Sequence, residues 1–100
     1  MNYIATPRFR KAARQLSTEA RQRLANLIIE IEAASTLSDL TNYKEMQGKT
    51  NKGYYRIRFG DYRLGFTVDS QNTVLLIDVG SRGDFYKPTH LSNFKNPHHW

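Results

Sequence analysis

Residues 54–68 constrain the fold of this chain more than any other stretch, because they alternate with a period of two and break once, at Gly60-Asp61. Successive side chains of a strand point to opposite faces. Tyr55, Ile57 and Phe59 therefore share one face of a first strand, and Arg56 and Arg58 take the other. Beyond the break, Tyr62, Leu64, Phe66 and Val68 share a face, while Arg63, Gly65 and Thr67 lie opposite. Glycine supplies the positive φ that a two-residue hairpin loop needs, so Phe59 is expected to pair with Tyr62 and Arg58 with Arg63. One side of this hairpin is apolar. The other carries three guanidiniums with no carboxylate among them.

An apolar sheet face must be covered, and the residues upstream supply the cover. Residues 2–5 read as a short opening strand. Thr6-Pro7 is a helix start, with a hydroxyl acceptor at the cap and a proline where no N–H is required. That helix runs to about Leu16, turning Phe9, Ala12, Ala13 and Leu16 inward and Arg8, Lys11 and Arg14 outward. Ser17 or Thr18 caps a second helix with Glu19 in its first turn, and Ala20, Leu24, Leu27, Ile28, Ile31 and Ala34 follow the 3.6-residue period. Residues 34–42 read as a loop, with Leu37, Leu40, Tyr43 and Met46 as core anchors, and residues 44–48 lead to a polar, basic turn at 49–53. After the hairpin, Ser70-Gln71-Asn72 makes a second turn, and residues 73–79 form an apolar run suited to an interior strand. The order β-α-α-β-β-β specifies an α+β domain, with two N-terminal helices packed on one face of a small, mainly antiparallel four-stranded sheet. Residues 1–88 make the domain, and residues 89–100 read as a polar tail, loosely held or ordered by a partner.

The arginine face carries the functional signal. The chain of 100 residues has a formal charge of +6, which favours a polyanionic or acidic partner. It has no cysteine, and no stretch approaches the ~20 apolar residues of a membrane span, so a soluble cytoplasmic protein is expected. Like charges placed directly opposite each other destabilise a hairpin, and an anion between Arg58 and Arg63 would explain their pairing. Gly65, on the same face, leaves room for a ligand to approach. Arginine stays protonated and cannot act as a base, but its fork binds phosphate bidentately. Asp61, Asp69, Asp78 and Asp84 are scattered, which argues against a two-metal nuclease. His90, His98 and His99 fall in the tail and read as no metal site, and no serine or cysteine nucleophile motif is present. Arg82 and Tyr86 follow the interior strand. Arg82 either joins the cationic face or pairs with Asp78 or Asp84. Tyr86 is a candidate for proton transfer or an aromatic lid, with Phe85 the better core residue. Lys49 and Lys52 are further basic candidates, in the turn before the hairpin.

The segments Tyr55-Arg56-Ile57-Arg58-Phe59-Gly60-Asp61-Tyr62-Arg63-Leu64 and Asp78-Val79-Gly80-Ser81-Arg82-Gly83-Asp84-Phe85-Tyr86-Lys87 together resemble the RelE/ParE superfamily of toxins from bacterial type II toxin–antitoxin modules. Glu45-Met46-Gln47-Gly48 and the two-helix pattern extend the similarity to about residues 2–88. The RelE branch, which the residues favour, implies a metal-independent endoribonuclease without cofactor that cleaves mRNA in the ribosomal A site through the RNA's own 2′-hydroxyl. By position, the resemblance assigns Arg56 and Arg58 to the basic pair of the hairpin, Arg63 to the scissile phosphate and Arg82 to transition-state charge. Tyr86 would orient the 2′-hydroxyl or stack on a base, and Lys49 and Lys52 would contact RNA. Ser81 stands where many relatives carry histidine or lysine, and Glu45 where lysine is frequent. The implied partners are mRNA, the ribosome and a cognate antitoxin with an acidic portion. A ParE-like toxin that binds and inhibits DNA gyrase, and an inactive antitoxin-binding module, are the alternatives the resemblance leaves open.

Overall fold

Thr6 fixes where the first helix begins. Its hydroxyl oxygen accepts from the N–H of Phe9 at 3.2 Å and donates to the Leu76 carbonyl at 2.7 Å, so one side chain both caps the helix and ties it to the sheet. The computed structural model describes residues 1–47, 53–91, 94 and 100. In chain order these form β1 (Tyr3–Ala5), α1 (Pro7–Arg14), α2 (Thr18–Ala33) capped by Ser17, a 3₁₀ turn (Leu37–Asp39), β2 (Tyr43–Glu45), β3 (Tyr54–Phe59), β4 (Tyr62–Val68), β5 (Val74–Ser81), α3 (Arg82–Phe85) and α4 (Pro88–Leu91). The strands make one sheet in the order β1-β5-β4-β3-β2, with β1 parallel to β5 and every other pair antiparallel.

The hairpin has the expected register, Phe59 opposite Tyr62 and Arg58 opposite Arg63, around Gly60 at φ 60°. Positive φ at the first loop position is the signature of a type II′ turn. The sheet holds one strand more than expected. Tyr43 pairs with Ile57 and sets its ring edge-on to Tyr55, at 6.0 Å between centroids. Three residues are too few for alternation to stand out in sequence.

Two layers of apolar packing result. On one face, Phe9 of α1 and Leu24, Leu27 and Ile31 of α2 close over Ile57, Phe59, Leu64, Phe66, Leu76 and Val79. On the other lies a smaller cluster of Met46, Ile77, Phe85 and Phe94, flanked by Tyr54, Leu91 and Trp100. A register shift between Gly65 and Phe66 leaves Ile77 as an extra residue on β5, opposite no β4 partner, and its side chain joins this second cluster. The arginine-bearing face is thus partly covered, which corrects two expectations. Gly65 does not receive a ligand. A Cβ there would meet Phe94 Cε1 at 2.6 Å and Phe85 Cζ at 2.9 Å, so the missing side chain makes room for aromatic rings. Nor are the described residues of the tail loose. Phe94 is fully buried, Trp100 packs edge-on against Tyr54, and the Trp100 carbonyl accepts from the N–H of Arg8 at 3.2 Å. Among the described residues, no helix is long and apolar enough to cross a membrane.

Candidate functional site: a cationic face beside Tyr86

Strand register decides which cations meet. Arg56 lies opposite Gly65 on β4 and opposite Lys44 on β2, and Arg58 lies opposite Arg63. Residues directly opposite in an antiparallel pair share a face, so Lys44, Arg56, Arg58 and Arg63 all stand on the side away from α1 and α2. Arg56 and Lys44 line a cleft of about 370 Å³ with Glu45, Met46, Gln47, Tyr86 and Leu91, and the Glu45 carboxylate accepts from the Gly53 N–H at 3.1 Å. Arg58 joins the same two cations around an adjoining hollow of about 120 Å³. Lys44 and Arg56 line both hollows, with Arg58 in one and Tyr86 in the other. Tyr86 is held there by its neighbour: Phe85 is fully buried, and the two rings meet edge-on at 5.2 Å, leaving Tyr86 41% exposed.

Arg63 and Arg82 sit differently. Arg63 is only 6% exposed. Its Nη1 donates to the Tyr62 carbonyl at 3.0 Å, and its Nε is buried with no partner among the described residues. Gly80 faces it on β5 and offers no side chain to compete for the space. Arg82 is exposed in the first turn of α3, where its N–H donates to the Asp61 carbonyl at 2.7 Å and Ser81 Oγ caps the helix by accepting from Asp84 N. Arg82 does not line the Arg56–Tyr86 cleft. Lys49 and Lys52 lie outside the described residues.

The carboxylates are engaged elsewhere. All nine Asp and Glu residues are among the described residues, and none pairs with Arg56, Arg58, Arg63 or Arg82. Asp84 binds Lys87 at 2.8 Å, and Asp78 takes the Nδ1 of His90 at 2.8 Å with Arg8 at 3.9 Å. Both carboxylates considered as partners for Arg82 are thereby occupied. The hydrogen bond and charge of Lys87 hold the Asp84 carboxyl below its ordinary range, and Asp84 raises Lys87 in return. Among the described residues, no group of three His, Cys, Asp or Glu is arranged to hold a metal ion. The cleft offers two fixed cations, one phenol and one carboxylate, Glu45, which makes no ion pair among the described residues. That set can bind a phosphate and offset charge developing on it. Lys44 was missed from sequence because residues 44–48 read as a lead into the basic turn and not as a strand, and the Asp78–His90 bond leaves no periodic trace.

Comparison with known proteins agrees with this architecture. The family described as "ParE toxin of type II toxin-antitoxin system, parDE" matches residues 3–86. Toxin RelE3 of Methanocaldococcus jannaschii is 31% identical over 87 residues, covering 86% of this chain and 96% of that protein. Among solved structures, the RelB-RelE antitoxin-toxin complex from Methanococcus jannaschii superposes with a TM-score of 0.70 at 26% identity, covering 83% of this chain and 94% of the matched one. The isolated E. coli RelE toxin shares the fold, with a TM-score of 0.60 at 23% identity over 80% of this chain and 82% of its own. The chain belongs to the ParE/RelE family of toxins of type II toxin–antitoxin systems.

Proposed function

We propose that this toxin is a metal-independent endoribonuclease that cleaves mRNA on the ribosome, works in the cytoplasm and is silenced by a cognate antitoxin. The observation that carries this reading is the cluster of Lys44, Arg56 and Arg58, without ion-pair partners among the described residues, around two adjoining hollows, one of which Tyr86 and Glu45 also line. Arg56 and Arg58 would clamp the RNA backbone across the scissile phosphate. Arg63 supports them from beneath, and Arg82 approaches from the first turn of α3. In the cut, the 2′-hydroxyl gives its proton to water and its oxygen attacks the adjacent phosphorus, a 2′,3′-cyclic phosphate forms, and the bond to the 5′-oxygen of the next nucleotide breaks, that oxygen taking a proton from water to leave as a 5′-hydroxyl. Guanidiniums cannot take the 2′-hydroxyl proton at neutral pH, so their part is to stabilise the pentacoordinate phosphorane. Tyr86 orients the 2′-hydroxyl or stacks on a flanking base, and Lys49 and Lys52 contact the RNA on either side.

The RelB-RelE complex shows an antitoxin on a similar toxin. For this chain, with a formal charge of +6, an acidic antitoxin segment over the cationic face would gain on-rate and specificity from charge complementarity. The test is purified protein added to programmed ribosomes with a chelator present, followed by mapping of transcript 5′ ends. Cleavage within the A-site codon is expected, and intact transcripts would overturn the proposal. A second reading, inhibition of DNA gyrase, is favoured by the ParE description of the matching family. DNA damage after induction with transcripts left whole would select it, and neither effect would indicate an inactive antitoxin-binding module.

A further inference from the structure

A second cleft lies across α3 from the groove, where α1 packs beside the end of β5. It encloses about 330 Å³, and its polar walls come from Arg8 and Lys11 of α1, Gln15 at the end of that helix, Ser17, Tyr62, Ser81, Asp84, and His90 of α4. The helix α1 carries four cations, Arg8, Arg10, Lys11 and Arg14, and no acid. Of these, Arg8 and Lys11 are three residues apart, and Gln15 follows Lys11 by four, so the three form one row facing the cleft.

The row has unused binding capacity. Asp78 is fully buried, accepts from the Val79 N–H at 2.9 Å and holds His90 Nδ1 at 2.8 Å. Its contact with the Arg8 guanidinium is a long 3.9 Å, and Arg8 Nε is buried without a hydrogen-bond partner among the described residues. Lys11 makes no ion pair among the described residues, and the exposed Asp84 carboxylate on the far wall is paired with Lys87 at 2.8 Å. With Nδ1 of His90 committed to Asp78, only its Nε2 remains to meet a ligand. A guanidinium, an ammonium, an amide and a hydroxyl around one cavity suit a tetrahedral oxyanion.

We infer that this cleft is a second phosphate site, which takes a backbone phosphate of RNA outside the cleaved linkage. The inference rests on the reading of the protein as an RNA-cutting toxin, and it assigns α1 a role in holding substrate that the sheet face does not fill. Binding RNA at two sites either side of α3 fixes the strand's direction across the groove, as positioning contacts to phosphate do in other nucleic-acid complexes.

The test is a titration of the isotope-labelled protein, followed by NMR, with inorganic phosphate, adenosine monophosphate and a short single-stranded RNA. Saturable shifts at Lys11, Gln15 and His90 are expected with all three, tightest for the RNA. Lys11→Ala, at an exposed position, is expected to weaken RNA binding about tenfold, corresponding to about 1.4 kcal/mol, and to flatten the dependence of binding on salt. No saturable shift in the cleft, or an affinity unchanged by Lys11→Ala, would overturn the inference. Equal affinity for adenosine monophosphate and RNA would overturn the assignment to a polymer backbone. Because the readout is binding, a wild-type protein that leaves mRNA intact would sink the nuclease proposal without touching this result. Shifts abolished by Arg56→Ala and indifferent to Lys11→Ala would sink this one alone.

Discussion

Arg58 and Arg63 stand opposite each other on the hairpin yet occupy different environments, exposed and buried. The period-two pattern placed both on one face, and that much was legible in the sequence. The burial of Arg63 was not, because it depends on Gly80 across the strand pair and on α3 packed over Gly80. This difference separates two variants. Arg58→Ala removes an exposed side chain and should change stability by no more than about 0.5 kcal/mol, while mRNA cleavage falls sharply. Arg63 is a buried charge without a carboxylate, and such a group costs free energy in the folded state. Arg63→Met should therefore hold or raise the melting temperature while cleavage is lost. A melting temperature several degrees lower would mean that the guanidinium is structural. Lys44→Ala should behave like Arg58→Ala, and full cleavage by that variant would remove Lys44 from the site.

At the scale of elements, the sequence showed both long helices, their caps and four of the five strands of the sheet, the two hairpin strands with their faces, since each rests on a local period, an apolar run or a capping residue. It missed β2, which is too short for a pattern, and it mistook the meaning of Gly65, because the rings that fill that space come from residues 85 and 94, far along the chain. Gly65→Ala would drive a methyl into Phe94 and Phe85 and should destabilise the protein by about 1–3 kcal/mol, the usual range for overpacking. Thermal melting checks it, and an unchanged midpoint would refute the close contact. In α3 the exposed Asp84–Lys87 pair has a defined pH window. The lowered Asp84 value means that its contribution is present above the ordinary 3.8 and lost as pH falls through the folded value. The raised Lys87 value means that its contribution is present below the ordinary 10.5 and lost as pH rises through the folded value. In Lys87→Ala the carboxyl titration of Asp84, followed by carbon NMR, should move up toward 3.8, and a midpoint that stays in place would show that Lys87 is not the cause.

For the whole molecule, the described residues near the C-terminus belong to the architecture. His90 ties α4 to Asp78, Phe94 fills the second cluster, and Trp100 meets both α1 and Tyr54. Removing residues 88–100 should expose Ile77 and Phe85, lower the melting temperature and increase binding of a hydrophobic dye. A truncated protein as stable as the full chain would show that the second layer adds nothing. The parallel pairing of β1 with β5 has a consequence for how the protein is made. Tyr3 meets Val74 and Ala5 meets Leu76, so the opening strand waits for a partner synthesised some seventy positions later, and contacts so distant slow folding. The ribosome that makes this chain must therefore deliver residues 74–76 before the sheet can close on its opening strand, and a copy cut short upstream of them is left with β1 unpaired.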